Sequence, residues 1–495
     1  MSHLQWHDYG YFPYERELAK REVRALLGVE YCEASDTTVR LPSPIDATAA
    51  RRLTYFSKVI GAGGAADTTQ ALLESAVRSG RSRQATRYSV HGLHEYKGKF
   101  NPQIAKAILN IFGVGAGSRV LDPFCGSGTT LVECTQLGAV GVGTDMNPLA
   151  VLLANAKLTC LATPVSVLRE DFDRLSARLV RLRNPGLAKP ETERDEYLRS
   201  WFEHGQLAWI EAVRLAIEVA CPDRKNVFLA IASNLLRDYS DQDPNDLRIR
   251  RRSSPLPDIG FREAFESATA RYLDRIEAAQ HVLGVGDTTS RAIVSNARSI
   301  DGNAAGYPFD AVITSPPYAT ALPYIDTQRL SLVWLNLCAP SGIGPLDARL
   351  IGSREMKTKE RRGLTEELHA NALELPVAQL RFCHELEAAV GSTDGFRRKA
   401  VPTLIYRYMA QMRDTFASVR KVVRNDAPYA LIVGHNHTVL SGVRRDVDTP
   451  SHLAALAESV GWTIEEAIPL QTYHRFGLHA VNAVGAETLV ILRNR

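Results

Sequence analysis

Short apolar runs alternate with helical periodicity in two separate parts of the chain. Residues 119–122 form an apolar run that leads into glycines, and residues 129–137 then repeat apolar positions at helical spacing. A second run at 139–144 precedes another helical pattern at 149–158. This alternation of strand and helix predicts a parallel sheet that is covered by helices on both faces.

The alternation is interrupted twice and then resumes. Residues 165–288 show amphipathic helical patterns with Arg-rich faces, and residues 340–400 are irregular and rich in charged residues. We interpret both as insertions into the sheet. The remaining predicted elements are strands at 292–295, 310–314, 429–433, 462–467 and 488–492, and helices at 327–337, 403–423 and 452–460.

The first 85 residues have a different texture from the rest. They combine a charged helical stretch at 15–27 with a short strand-like run at 37–41. The Gly-, Ala- and Ser-rich segments at 61–66 and 79–82 are typical of loops or linkers. We therefore treat this part as an accessory region.

Composition excludes several classes of protein. With 45% hydrophobic residues among 495, the chain can build a packed core and is not mainly disordered. We find no apolar run of about 18 residues and no secretory leader, and we expect a cytoplasmic protein without a membrane span. The net charge of +4 permits a nucleic-acid partner without requiring one. Seven scattered cysteines without a CxxC pair predict reduced thiols and no metal site.

The first segment with candidate chemistry follows the strand at 119–122. Residues 122–130 read Asp-Pro-Phe-Cys-Gly-Ser-Gly-Thr-Thr, so glycines open the next helix where a backbone can approach a ligand closely. An ordinary tight turn is the alternative reading. Asp145 ends the second strand, where an acidic side chain can hold a ribose hydroxyl. Because the third glycine of the dinucleotide fingerprint is missing, the pattern favours a nucleoside-like cofactor without a pyrophosphate.

The second segment is Thr-Ser-Pro-Pro-Tyr at 314–318, directly after a predicted strand. Two prolines fix the backbone and remove two amide donors, which leaves carbonyl oxygens free at the ligand-binding edge of an open sheet. Such acceptors suit an amino group whose planar ring stacks on Tyr318. The alternative reading is a Pro-Pro pair that merely ends a strand.

Together these two segments resemble the S-adenosylmethionine-dependent DNA amino-methyltransferases, which modify cytosine N4 or adenine N6. The resemblance covers about 90–160 and 288–495. It implies a Rossmann-like class I α/β methyltransferase fold with a mostly parallel seven-stranded sheet and one antiparallel strand, plus helical insertions. Combined with the pattern of elements, it predicts an accessory region at 1–85, a cofactor-binding half at 86–164, a helical insertion at 165–288, a catalytic half at 289–339, an insertion at 340–400 and the rest of the sheet at 401–495.

The resemblance also implies a set of site residues. The segment around Lys99 and Phe100 would contact the methionine part of S-adenosylmethionine, and Asn296 would face its adenine where the family commonly has Asp. The implied cofactor-binding residues are Lys99, Phe100, Asp122, Pro123, Phe124, Gly126, Ser127, Gly128, Thr129, Asp145, Met146, Asn147 and Asn296. The implied catalytic residues are Ser315, Pro316, Pro317 and Tyr318.

The catalytic segment also bears on the target base. Ser at its head is typical of cytosine-N4 enzymes, although many of those have the catalytic segment before the glycine loop, and here the order is the reverse. We give the Ser more weight and predict transfer to cytosine N4 in duplex DNA by base flipping. The alternatives are an adenine-N6 enzyme, an RNA base methyltransferase, or a non-catalytic DNA-recognition subunit that binds the cofactor.

Two basic segments are candidates for reading the DNA sequence. We favour the 340–400 insertion, because it emerges next to the catalytic strand, and a solvated surface is the alternative for both segments. The candidate DNA-binding residues are Arg354, Lys357, Lys359 and Arg361, together with Arg248, Arg250 and Arg251 in the helical insertion. The expected partners are double-stranded DNA and a cognate restriction endonuclease.

Overall fold

The computed structural model describes residues 2–42, 44–61, 63–77, 83–246, 249–285, 289–319, 324–356, 358–471 and 486–495. The N-terminal region forms an antiparallel sheet with strand order β2-β3-β1-β4-β5. Its elements are β1 (Ser2–Trp6), α1 (Pro13–Leu27), β2 (Cys32–Ser35), β3 (Thr38–Leu41), α2 (Ala47–Ala50), β4 (Phe56–Gly61), β5 (Gly64–Asp67) and α3 (Thr69–Ser75).

The segment at 61–66 is not the loop that its small residues predict. Residues 58–61 pair with residues 64–67, so Gly61 ends β4 and residues 64–66 belong to β5. Gly64 has a φ of 109°, which glycine adopts without a steric penalty. The predicted linker at 79–82 lies outside the described residues.

The central sheet contains all seven strands that the sequence predicts, with small shifts at their ends. Its order is β13-β14-β10-β9-β6-β7-β8, and β14 runs antiparallel to both of its neighbours. The strands are β6 (Arg119–Asp122), β7 (Val140–Asp145), β8 (Arg291–Val294), β9 (Ala311–Thr314) and β10 (Pro428–Gly434), followed by a separate hairpin of β11 (Asn436–Leu440) and β12 (Val443–Val447), and by β13 (Trp462–Gln471) and β14 (Ala486–Asn494). The hairpin was not predicted.

The other described helices, after α3, fall into four groups along the chain. Those of the first half of the sheet are α4 (Pro102–Ile111), α5 (Thr129–Gln136) and α6 (Pro148–Ala162). The insertion holds α7 (Val165–Val180), α8 (Glu193–Arg199), α9 (His204–Ala220), α10 (Lys225–Leu235) and α11 (Phe261–Leu283). Next come α12 (Gly302–Ala305), α13 (Tyr324–Trp334), α14 (Ile343–Arg349), α15 (Thr358–Ala370), α16 (Val377–Ala388) and α17 (Phe396–Lys399), and the last are α18 (Val401–Arg420) and α19 (Thr449–Glu458).

Strand β10 shows how both faces of the sheet are covered. All of its residues are buried, and alternate side chains enter different cores. Leu431 packs with the cluster that contains α18 and α19, whereas Ile432 packs with α4 and with Leu18 of α1. The N-terminal region therefore shares the core of the central sheet.

The two insertions pack in different places. Helices α7 to α11 share a core with α6 and α13, which includes Leu153, Phe228 and Trp334. Helices α15 and α16 pack on α18, and the Tyr406 hydroxyl of α18 accepts a hydrogen bond from Leu373 N at 2.8 Å. The second insertion thus packs on the same face of the sheet as Val312 of β9 and Leu431 of β10.

Two searches of the described residues bear on membrane and metal binding. No single described helix has both the length and the apolar character that a membrane span requires, and one bent pair, α6 with α7, meets those criteria together across a bend of 116°. Within the described ranges, no group of three or more His, Cys, Asp or Glu side chains is placed to hold a metal ion.

Candidate active site

The loop between β6 and α5 depends on two glycines in different ways. Gly126 has a φ of 49° and lies in a cavity wall, where an added Cβ would come within 3.1 Å of the Tyr96 ring. Gly128 has a φ of 82°, and its added Cβ would lie 2.8 Å from the Ala154 Cβ on α6. Gly126 thus leaves space in the cavity wall. Gly128 allows α6 to pack closely against the loop, and it does not provide the close approach to a ligand that the sequence pattern predicts.

The loop is tied to the double-proline segment by a buried hydrogen bond. Strands β6 and β9 are parallel neighbours, and the Thr314 hydroxyl donates to Asp122 Oδ1 at 2.6 Å. The same oxygen accepts from Phe124 N at 3.1 Å. Burial raises the pKa of Asp122 to about 6. Asp122 therefore joins the two turns from behind the cavity and does not line it.

Replacing Thr314 with Val should test this connection, since Val keeps the shape but removes the donor to a buried carboxyl group. We expect Thr314→Val to lower the free energy of unfolding by about 1–3 kcal/mol. Thr269→Val is the matched control, because the buried Thr269 hydroxyl donates only to Phe265 O within α11. Urea denaturation measures both, and an equal loss in the two variants would contradict the proposed connection.

Asp145 presents its carboxyl group at the end of β7. Oδ2 accepts from Gly126 N at 3.0 Å, and Oδ1 accepts from Asn147 N at 2.8 Å. Burial is the largest cause that raises the pKa of Asp145 to about 6. Asn147 caps α6 through Leu149 N, and its amide group also donates to Gln328 of α13. These contacts hold the acidic side chain beside the glycine loop.

Three surrounding elements hold the segment after β9. The Tyr408 hydroxyl of α18 donates to Pro317 O at 2.9 Å, and the Asn436 side chain of β11 donates to Ala319 O. The Tyr318 hydroxyl donates to Glu487 Oε1 at 2.7 Å. Among the described residues, the Ser315 hydroxyl has no hydrogen-bond partner. It is therefore available to a ligand in the cavity.

One cavity, open to solvent, is lined by residues of both chemical segments. It lies at the carboxyl ends of the parallel strands, the edge at which open α/β sheets bind ligands. The predicted residues that line it are Pro123, Phe124, Gly126, Asp145, Met146, Asn147, Asn296, Ser315, Pro316, Pro317 and Tyr318. The glycine loop and the double-proline turn therefore meet at one site.

The other predicted cofactor residues lie behind or beside the cavity. Lys99 donates to Thr86 O at 3.2 Å and to His91 O at 3.3 Å, and burial holds the pKa of Lys99 well below its usual value. Phe100 packs against the core that α4 shares with the N-terminal region. Also outside the lining are Asp122, Ser127, Gly128 and Thr129. Lys99 and Phe100 therefore make contacts inside the fold and do not line the cavity. The preceding Tyr96, Lys97 and Gly98 line it instead.

Ser127 has a buried partner that the sequence did not reveal. Lys157 of α6 is fully buried, and its Nζ donates to Ser127 O at 2.8 Å and to Ser127 Oγ at 2.9 Å. Burial lowers the pKa of Lys157 to about 7. Lys157 therefore supports the glycine loop from below.

Several lining residues were not predicted. Ser295 and Ala297 flank Asn296, whose Oδ1 accepts from Arg298 N at 3.1 Å. Asp347, Leu350, Ile351 and Ser353 close the opposite wall and belong to the 340–400 insertion. Burial and the nearby carboxylates of Glu355 and Asp326 raise the pKa of Asp347 to about 6. Ser295 and Ala297 could have been predicted because they are neighbours of Asn296. No sequence signal indicated the four residues of the 340–400 insertion.

The basic residues of the helical insertion have structural partners. Arg251 pairs with Asp241 at 2.9 Å, and its guanidinium group lies 5.1 Å from the centre of the Trp201 ring. Arg250 pairs with Asp246 at 3.0 Å. These contacts favour the alternative reading, a solvated surface, for both arginines.

The described basic residues of the second insertion differ in exposure. Arg354 and Lys359 lie at the surface, whereas Arg361 is half-buried and its guanidinium group lies 4.8 Å from the centre of the Phe396 ring. All three stay predicted DNA contacts. Two members of the predicted set lie outside the described residues, Arg248 and Lys357.

Comparisons with known proteins show what part of the sheet domain is similar to. The family model described as "UPF0020: RMKL-like, methyltransferase domain" matches residues 93–165, which include the glycine loop and Asp145. This segment is therefore similar to a methyltransferase domain, and the mixed sheet with helices on both faces agrees with an α/β methyltransferase fold.

Individual relatives extend the similarity beyond that segment. Type II methyltransferase M.MvaI of Kocuria varians is 26% identical over 291 residues, covering 55% of this chain and 63% of the relative. Type II methyltransferase M.AvaI of Anabaena variabilis is 23% identical over 434 residues, covering 80% and 83%. A tRNA (guanine(10)-N2)-dimethyltransferase of Methanothermobacter thermautotrophicus is 44% identical over 52 residues, covering 10% and 16%. The chain thus spans less than two thirds of the Kocuria relative.

Proposed function

We propose that this protein is a site-specific DNA methyltransferase that transfers the methyl group of S-adenosylmethionine to cytosine N4 in duplex DNA. The observation that carries the proposal is the single cavity in which Asp145 and Ser315 both lie, joined behind its wall by the Asp122–Thr314 hydrogen bond. Two relatives named as Type II methyltransferases support DNA as the substrate. A cognate restriction endonuclease is part of the proposal through the family resemblance.

The donor groups in the cavity suit S-adenosylmethionine. The Asp145 carboxylate can accept hydrogen bonds from two ribose hydroxyls, and Asn296 at the end of β8 can hydrogen-bond the adenine edge. Phe124, Met146 and Ile351 add apolar surface for a planar ring. When bound, the cofactor supplies a methyl group that its sulfonium already activates. The residues of this chain then have to position that methyl group and the target nitrogen.

Ser315 and Pro316 would act on the target amino group. An exocyclic amino nitrogen is a weak nucleophile, because its lone pair is delocalised into the base. If the Ser315 hydroxyl oxygen and the Pro316 carbonyl oxygen accept hydrogen bonds from its two N–H groups, the nitrogen becomes more tetrahedral and its lone pair more available. The new N–C bond forms as the methyl group leaves the sulfur, and one nitrogen proton passes to solvent. A cysteine nucleophile is not needed.

The target base must leave the DNA stack to reach this cavity. Extrusion costs a few kcal/mol, which stacking on an aromatic side chain partly offsets. Tyr318 can supply that surface, because its hydroxyl is held by Glu487 and its residue lines the cavity. Ser at the head of the segment favours cytosine N4 over adenine N6 through the family resemblance.

An RNA base methyltransferase is the second candidate. The short similarity to a tRNA dimethyltransferase favours it, since that similarity is 44% over 52 residues. The longer similarities are to proteins named as Type II methyltransferases, and we therefore rank DNA first.

Single-molecule sequencing of DNA from cells that express the protein tests the proposal, because it reports the modified base and its sequence context together. We expect N4-methylcytosine at one recurring sequence, and none in cells that express Ser315→Ala. N6-methyladenine would replace the cytosine assignment. Unmodified DNA, together with labelled tRNA after incubation with labelled cofactor, would overturn the proposal in favour of RNA.

A further inference from the structure

The hairpin of β11 and β12 lies beside the catalytic loop and has no part in the methyl-transfer chemistry. It follows β10 after a single residue, at the edge of the sheet where β9 also ends. The Asn436 side chain donates to Ala319 O, one residue beyond Tyr318. The hairpin therefore begins next to the proposed entry of the target base.

Hydrogen bonds hold the β11–β12 hairpin at both ends. Ser441 and Gly442 have φ values of 50° and 77°, as in the tight turns that suit the twist of a hairpin. The buried Asp394 carboxylate accepts from Ser441 N at 2.9 Å and from Gly391 N at 2.9 Å. The turn is thus held to the loop that precedes α17.

The strand pairing assigns the two arginines of β12 to opposite faces. Arg445 pairs with Thr438, which is two residues from Asn436, so Arg445 shares the face that carries the contact to the catalytic loop. Arg444 lies on the other face, where its Nε is 2.7 Å from Asp446 Oδ1. Arg445 is exposed, and within the described residues it has no acidic partner.

Further positive charge continues this surface. Helix α17 contacts β11 and carries the exposed Arg397 beside the half-exposed ring of Phe396, while its neighbour Arg398 lies 3.8 Å from the Asp394 carboxylate. A two-stranded ribbon of this width fits the major groove of B-form DNA. Arginine guanidinium groups bind phosphate oxygens strongly.

We propose that the face of the hairpin carrying Arg445, extended by α17, is a DNA-contact surface, and that Arg445 binds a phosphate of the duplex beside the extruded base. This inference rests on the proposed DNA methyltransferase function. It places the Arg445 contact outside both insertions, whereas α17 belongs to the insertion at 340–400.

The test compares duplex binding by Arg445→Ala and Arg444→Ala, which remove the same side chain from opposite faces of one strand. Fluorescence anisotropy with a duplex that the wild type methylates should show about a tenfold weaker Kd for Arg445→Ala. The slope of log K against log salt should fall by about 0.9, as expected for the loss of one phosphate contact. Arg444→Ala should match the wild type, and Arg445→Lys should retain most of the affinity because Lys also binds phosphate.

Each remaining outcome has a definite meaning. Calorimetric titration with S-adenosylmethionine should give the wild-type affinity for all three variants, which shows that they are folded. If the wild type methylates the duplex and Arg445→Ala binds like Arg444→Ala, the inference fails and the proposed function stands. Failure of Arg445→Lys to retain affinity would overturn the phosphate contact. If the wild type methylates tRNA and not the duplex, both proposals fail.

Discussion

Ser315→Ala should lower the single-turnover rate of methyl transfer to duplex DNA by about 100-fold or more. The Ser315 hydroxyl lines the cavity without a partner among the described residues, and its proposed partner is the target nitrogen. Removing it takes away an interaction that strengthens as the nitrogen becomes nucleophilic. Cofactor affinity should stay within about twofold, because the lost interaction is made to the other substrate.

Ser353→Ala provides the matched control for this prediction. Ser353 lines the same cavity, but its hydroxyl oxygen already accepts from Glu355 N at 3.1 Å. We expect the control to retain most of the wild-type rate. Equal losses of rate in both variants, or a loss of cofactor affinity as large as the loss of rate in Ser315→Ala, would contradict the proposed role.

Asp145→Ala should have the reverse effect and weaken S-adenosylmethionine binding by about 10- to 100-fold. The carboxylate is held at the end of β7 by Gly126 N and Asn147 N, and its remaining lone pairs face the cavity. Calorimetric titration measures the change directly. An unchanged affinity would contradict the proposal that Asp145 binds the cofactor.

The pKa of Asp145 adds a second test of the same assignment. Because burial raises this pKa to about 6, cofactor affinity should fall as pH drops through that value and the carboxylate becomes protonated. Folding stability should respond in the opposite sense. A carboxyl group with a raised pKa stabilises the fold fully below its unfolded pKa, and this contribution is lost as pH rises through about 6.

Two asparagine variants separate Asp145 from its acidic neighbour. Asp145→Asn should abolish the pH dependence of cofactor affinity near pH 6. Asp347→Asn should leave it in place, although Asp347 lines the same cavity and burial also raises its pKa to about 6. The opposite result would show that Asp347 causes the pH dependence of cofactor affinity, and it would contradict the proposal that Asp145 binds the ribose.

The sequence predicted the strands well, because their signal is local. Each strand of the central sheet is a short apolar run beside a turn or a helix. Such a run can be recognised in the sequence without information about distant contacts. The hairpin β11–β12 was missed because its exposed strand Val443–Val447 is mostly polar and has no buried face to produce a pattern. The 61–66 hairpin was missed for a similar reason, since glycines and alanines are also typical of loops.

The site was predictable where one motif carries both the backbone geometry and the chemistry. Residues 314–318 and Asp145 lie at the positions that strand ends dictate. Lys99 was placed in the site by resemblance, yet its ammonium group is buried against Thr86 O and His91 O. Which neighbour in a short loop faces a cavity depends on backbone torsion angles that the sequence pattern does not specify.

By itself, the sequence determined the class of fold, the two chemical segments and their positions after β6 and β9, because strand periodicity and turn residues are local properties. Only the tertiary structure decided that these segments share one cavity, that Asp347 closes its far wall, and that Lys157 supports Ser127 from a neighbouring helix. It also decided that Arg445 and Arg444 lie on opposite faces of one strand. Such relations arise when segments far apart in the chain pack against each other, and no local pattern encodes which side chains then meet.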